Sequence, residues 1–183
     1  MAQPFDTKLY YEQLGSFISK FAFAEGVLRS VVGNLLGLDD DGVRVVLSGT
    51  RVDGLSAFLK RHYESKGLGI PGELSSALHQ LGVISGERNR LVHYSVRFTD
   101  THAIWTNADT AVSEARQLER HFTNDDLVAL NLDAFHIGVT LIAFLPGAPD
   151  EERPTLFSIG LGEPWRYKSV QPVRDDQKDR PRQ

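Results

Sequence analysis

Cysteine is absent from this chain of 183 residues, and methionine occurs once. The first absence excludes disulfide scaffolds, thiolate metal centres and a cysteine nucleophile. A reducing, cytoplasmic setting is the simplest expectation. An excess of basic residues is also missing: 20 Lys and Arg stand against 24 Asp and Glu, for a formal charge of -4. No global positive field gathers nucleic acid, so a nucleic-acid role needs a local basic cluster. There is no glycine-rich phosphate loop followed by Lys and Ser/Thr, no Gly-x-Ser-x-Gly and no His-Glu-x-x-His. Nor is there the basic recognition helix that a helix-turn-helix DNA binder requires. The run of three aspartates, Asp39–Asp41, places consecutive side chains in different directions and suits a helix start better than a metal site. No metal and no cofactor is expected. The N-terminal segment has no basic region followed by an apolar run and is not read as a signal peptide. The longest apolar run, Leu127 to Leu145, carries Asn131, Asp133 and His136. Those residues are costly in lipid, so the run reads as a buried bundle helix.

Apolar residues make up 41% of the chain and charged residues 24%, the balance of an ordinary single domain. Helical periodicity dominates. Phe17, Phe21, Ala24, Leu28, Val31 and Leu35 recur at steps of four and three, which predicts a long helix from Asp6 to Leu36 ended by Gly37. Gly15, Gly26 and Gly33 cost that helix about 1 kcal/mol each relative to alanine, and point to a close neighbouring helix. A short helix or turn over Asp39–Gly49 and a helix from Val52 to Gly67 follow, with His62 on the apolar face of the second. From Glu73 to Ser95 the positions Leu74, Leu78, Leu81, Ser85, Arg88 and Val92 form a stripe that places Arg88 in line with core residues.

After Ser95 the period changes. Val96 and Phe98 on one side of a polar turn and Ile104 on the other predict a β-hairpin insertion over about residues 95–115. Residues 110–122 fit either a helix or a third strand. Thr123 and Asp126 form a capping pattern for the final helix. The domain is therefore expected over residues 1–145, mainly α, with an irregular C-terminal extension over 146–183. Phe157, Ile159, Leu161 and Trp165 are placed to dock on the bundle, and disorder is expected after Pro172.

The polar residues of "ERNRLVHYS" (Glu87–Ser95) lie at the edge of the stripe on the helix expected over 73–95. An Arg followed by a His five positions later occurs three times: Arg88 with His93, Arg97 with His102, and Arg116 with His121. Spacing alone decides nothing; only the first pair lies in a long amphipathic helix. There Asn89 and His93 are four apart and adjacent, while Arg88 and His93 are separated by about 140° around the axis. Glu25, on the edge of the first helix, is placed to pair with Arg88 and orient it. Arg90 and Arg97 add local positive charge for a phosphate backbone.

This segment resembles the signature of the HEPN domain family, an Arg and a polar residue followed by His. The order of helices, 6–36, 40–66, 73–95 and 124–145, is similar to that family's antiparallel bundle. The resemblance implies a metal-independent endoribonuclease acting as a homodimer, with an RNA substrate, and admits a toxin or defence role with an antitoxin or inhibitory protein partner. Carried onto this chain, Arg88 would hold the scissile phosphate, His93 would act as acid or base on the ribose 2′-hydroxyl, and Asn89 would position either. Products would be a 2′,3′-cyclic phosphate and a 5′-hydroxyl. Some relatives carry a tyrosine two residues after the histidine as a target for nucleotide transfer; here Tyr94 follows His93 directly and Val96 does not supply it, which argues against that subtype. The alternative within the resemblance is a non-catalytic nucleotide- or RNA-binding module, or a dimeric regulatory one.

Overall fold

The first and last long helices begin at side-chain caps, and the first ends at a glycine. In a computed structural model that describes residues 5–113, 117–148 and 165–168, helix α1 runs Thr7–Leu35. The Asp6 carboxylate accepts from the Leu9 amide at 3.0 Å and caps its start. At its end Gly37 takes φ 68°. That left-handed turn brings the Leu38 amide back to the Gly33 carbonyl and the Gly37 amide to Asn34, both at 3.0 Å. The last carbonyls are thereby satisfied. Short α2 (Asp40–Val46) is capped by Asp39. Next come α3 (Val52–Ser65) and α4 (Gly72–His93). Helix α5 (Asn124–Ile142) starts with a reciprocal capping box between Thr123 and Asp126, as the sequence pattern predicted.

The architecture is mainly α: five helices and one small antiparallel sheet among the described residues. The core lies between α1, α4 and α5, with α3 closing one side. Tyr10, Phe17, Phe21, Ala24 and Leu28 of α1 meet Leu127, Leu130, Ala134, Ile137 and Leu141 of α5 in this cluster. The α1–α5 approach depends on Gly138, where an added Cβ would stand 2.4 Å from Phe23 Cε1. Of the three α1 glycines expected to admit a neighbour, only Gly33 does so; its missing Cβ makes room for Val43 of α2, whereas Gly15 and Gly26 face open space. Asn131, one of the polar residues of the apolar run, turns its side-chain amide to the Gln13 carbonyl of α1 at 2.8 Å and so ties α5 to α1. No single helix among the described residues is long and apolar enough to cross a membrane.

The expected hairpin is a three-stranded sheet. Strand β1 (Ser95–Phe98) pairs with β2 (Ala103–Thr106), which pairs with β3 (Glu119–Phe122), all antiparallel. The insertion therefore reaches residue 122 rather than about 115. Central β2 is buried, with Val96 opposite Trp105 and Trp105 opposite Arg120. The ambiguous segment resolves as strand at Glu119–Phe122; Glu114 and Arg116 lie outside the described residues, and so do Phe157, Ile159, Leu161 and everything after Lys168.

The buried stripe of α4 also departs from expectation. Leu74, Ala77, Leu78, Gln80, Leu81, Ile84, Glu87 and Leu91 face inward. Beyond Leu81 the core line thus falls one residue earlier than Ser85, Arg88 and Val92, a rotation of about 100°. Val92 is 47% exposed, whereas Glu87 is fully buried. A carboxylate takes the inward place because two arginines meet it there.

Candidate functional site

The last two turns of α4 divide into two chemically different halves. On the inner side the Glu87 carboxylate lies 2.8 Å from Arg120 of β3 and 3.0 Å from Arg90, one turn further along α4. Arg120 also donates to the Tyr167 hydroxyl at 2.8 Å. Burial first, and then the nearby Glu87 charge, push the Tyr167 phenol well above its ordinary range, against the opposing pull of Arg120. Charges buried in this way persist only when paired.

On the outer side stands the Arg–Asn–His segment. Arg88 is half-buried, while Asn89 and His93 are exposed. The Arg88 guanidinium donates to Asn89 Oδ1 at 3.1 Å and rests 6.0 Å from the Phe21 ring centroid of α1, within cation–π range. Its Nε is enclosed without a hydrogen-bond partner. No carboxylate of the described residues pairs with this guanidinium. The group is held from one side by an aromatic face and from another by an amide, with charge to spare for an anion. His93 is the last residue of α4, and the extended backbone at Tyr94 turns the chain into β1.

The other expected members of the site are engaged elsewhere. Glu25 does not orient Arg88; it binds Arg29, one turn along α1, at 2.7 Å. An intrahelical pair four residues apart forms without waiting for tertiary contact. Arg90 belongs to the buried ion cluster. Arg97 bonds Glu119 across the sheet surface at 2.7 Å, an exposed pair of little energetic weight. Arg90 and Arg97 are thus each engaged with a carboxylate, and Arg88 and His93 remain as the groups of the segment without one.

The histidines of the two competing spacings lie apart from this region. The His102 and His121 rings stack at 4.6 Å on the sheet, where Thr101 Oγ1 meets His102 Nδ1 at 2.9 Å. His62 lies against Phe58 and Tyr63 on α3. Among the described residues no three His, Asp or Glu side chains are grouped as metal ligands. A cleft of about 910 Å³ opens at the starts of α1 and α5, lined by Asp6, Lys8, Thr101, Asn124 and Asp125. It touches none of the Arg–Asn–His residues.

Glu87, Arg120, Gln80, Asp133 and Tyr167 were not singled out from sequence as one unit. A weak signal existed: Gln80 and Glu87 interrupt the apolar side of α4, and Asp133 interrupts the apolar run of α5. What the sequence could not supply was their meeting, since they come from α4, β3, α5 and the C-terminal segment.

Comparison of the chain with family models, with curated proteins and with solved structures gives no match.

Proposed function

We propose that this chain is a HEPN-like, metal-independent endoribonuclease that works as a homodimer through a composite Arg/His site, in the setting of a toxin or defence component. The observation that carries the reading is Arg88. Its guanidinium is oriented by Asn89 and Phe21 yet is met by no carboxylate of the described residues, while neighbouring Arg90 and Arg97 are each paired with a carboxylate. A planar, oriented and uncommitted guanidinium suits bidentate contact with a phosphodiester.

One chain presents Arg88 and His93 about 140° apart on the helix, so both do not face one substrate from a single copy. Two copies related by a two-fold axis through the end of α4 supply two arginines and two histidines to a shared cleft. In that arrangement one His93 takes the proton from the ribose 2′-hydroxyl. The 2′-oxygen attacks the adjacent phosphorus. The bond to the 5′-oxygen breaks, and the second His93, as imidazolium, donates a proton to that leaving oxygen. The products are a 2′,3′-cyclic phosphate and a 5′-hydroxyl. Arg88 neutralises charge on the non-bridging oxygens as the phosphorane forms.

The test is cleavage of mixed RNA substrates in EDTA by the wild type, Arg88→Ala and His93→Ala, with dimer mass checked for each. Cleavage by the wild type, reduced at least 100-fold in both variants with the dimer intact, is the expected result. No cleavage by the wild type, or equal cleavage by His93→Ala, sinks the catalytic assignment. The second reading, a non-catalytic RNA- or nucleotide-binding or dimeric regulatory module, is favoured by the ion cluster at Glu87, which knits the same helix end structurally. Under it, RNA binding or dimer formation depends on Arg88 while no product appears.

A further inference from the structure

The segment Trp165–Lys168 is bound to the helices by recognition of its backbone as well as its side chains. The Asp133 carboxylate on α5 accepts from two consecutive amides, Arg166 and Tyr167, each at 3.0 Å. Gln80 on α4 donates to the Tyr167 carbonyl at 3.1 Å and to Asp133 at 2.7 Å. The Trp165 indole donates to Ser76 Oγ at 2.9 Å. The Tyr167 ring lies parallel to Phe122, at 6.4 Å between centroids and 3° between planes, and its hydroxyl meets Arg120. Backbone donors, a backbone acceptor and two aromatic side chains are thus all read, the way a peptide ligand is read in a groove.

The receptor side is unusually well prepared. With the segment seated, Gln80 is 4% exposed and Asp133 is 1% exposed, yet neither is a natural core residue. Asp133 is a buried carboxylate satisfied by three donors, two of which belong to the segment. Without the segment it keeps Gln80 alone of these three donors, and the two acceptor positions left open match the paired N–H groups of any extended backbone laid along the same line.

We propose that the groove between α4 and α5 is an exchangeable peptide-binding site. Its resident ligand is the chain's own Trp165–Lys168, and its external ligand is an extended segment with the same Trp-x-Tyr pattern. The inference is independent of the ribonuclease reading, since none of these contacts involves Arg88 or His93. The groove reaches the same helix end through Arg120, which holds Tyr167 and Glu87 together.

The experiment uses the full chain and a fluorescein-labelled peptide of residues 163–170, read by anisotropy. The double variant Trp165→Ala/Tyr167→Ala vacates the groove and is expected to bind the peptide at least tenfold more tightly than wild type, in which the tethered ligand competes at high effective concentration. Adding Asp133→Asn to the double variant is expected to weaken that binding at least tenfold. A folded double variant that binds no peptide overturns the proposal. Amide hydrogen exchange on the wild type decides the case if the double variant does not fold. The Arg166 and Tyr167 amides are expected to open at least about 100-fold more often than those of Ala134 and Ile137 in mid-α5, which marks local release. Exchange of all four at one common rate would make the segment permanent core and overturn the proposal.

Discussion

Two arginines two residues apart on one helix meet opposite fates. Arg90 points toward the buried Glu87 and is held at 3.0 Å with Arg120 nearby. Arg88 lies over the Phe21 ring with only an amide oxygen for a partner. The first is committed to holding the fold, and the second retains an unneutralised charge. The difference comes from rotation: two residues are about 200° of helix, enough to move a side chain from the sheet-facing side to the rim against α1. A charged side chain near a helix end is therefore a candidate for chemistry only when its neighbours leave it uncommitted, and residue type alone does not reveal that.

The comparison breaks most visibly at Glu87. Glu87→Ala removes the carboxylate that neutralises Arg120, which is 9% exposed, and is expected to cost about 3–5 kcal/mol by urea denaturation, as for one lost partner of a buried pair. A cost below about 1 kcal/mol would mean that the cluster is not what fixes the end of α4. Tyr167→Phe keeps the ring on Phe122 but takes away the Arg120 acceptor. The expected loss is about 1–2 kcal/mol by the same measurement. On the outer half the sign reverses. Gly86→Ala meets nothing within 4 Å and should stabilise α4 by about 0.5–1 kcal/mol, read as a higher thermal midpoint. His93→Ala, at an exposed position, should change stability by no more than about 0.5 kcal/mol while removing the proposed activity; a large stability change would put His93 on the structural side.

The smallest effect concerns pH. Burial first lowers the His136 pKa, with Asp133 opposing and Arg166 adding to the shift. A histidine whose folded pKa lies below its unfolded value binds its proton more readily in the unfolded chain. Stability is then full above the unfolded pKa and falls as pH drops through the window between the two values. The denaturation midpoint of wild type should fall relative to that of His136→Gln as pH drops through that window. Parallel curves would exclude His136 as the source.

How much was legible beforehand differs between these regions. The helices were readable because their signals are local: Asp6 and Thr123 cap, Gly37 and Gly67 adopt positive φ, and apolar residues recur at helical steps. Arg88, Asn89 and His93 were legible as residues near the end of a long helix, where α4 carries them, but the expected inward position of Arg88 is taken by Glu87. The expected Glu25–Arg88 pair failed because Arg29 offers Glu25 a partner one turn away at no cost in chain closure. The third strand was half-hidden, because Glu119–Phe122 is only four residues long and its partner β2 supplies the ladder that defines it.

The sequence by itself determined the mainly α class, the helix limits, the caps and the presence of an Arg–Asn–His segment at the end of α4. These follow from interactions within one turn of chain. Only the tertiary structure decided which face of that segment is buried. There Glu87 replaces Arg88 on the inward line because Arg120, brought by β3, and Tyr167, brought by the C-terminal segment, arrive to satisfy a carboxylate that no local pattern could neutralise. Burial of charge is settled by partners distant in sequence, and it is that settlement which leaves Arg88 and His93 open.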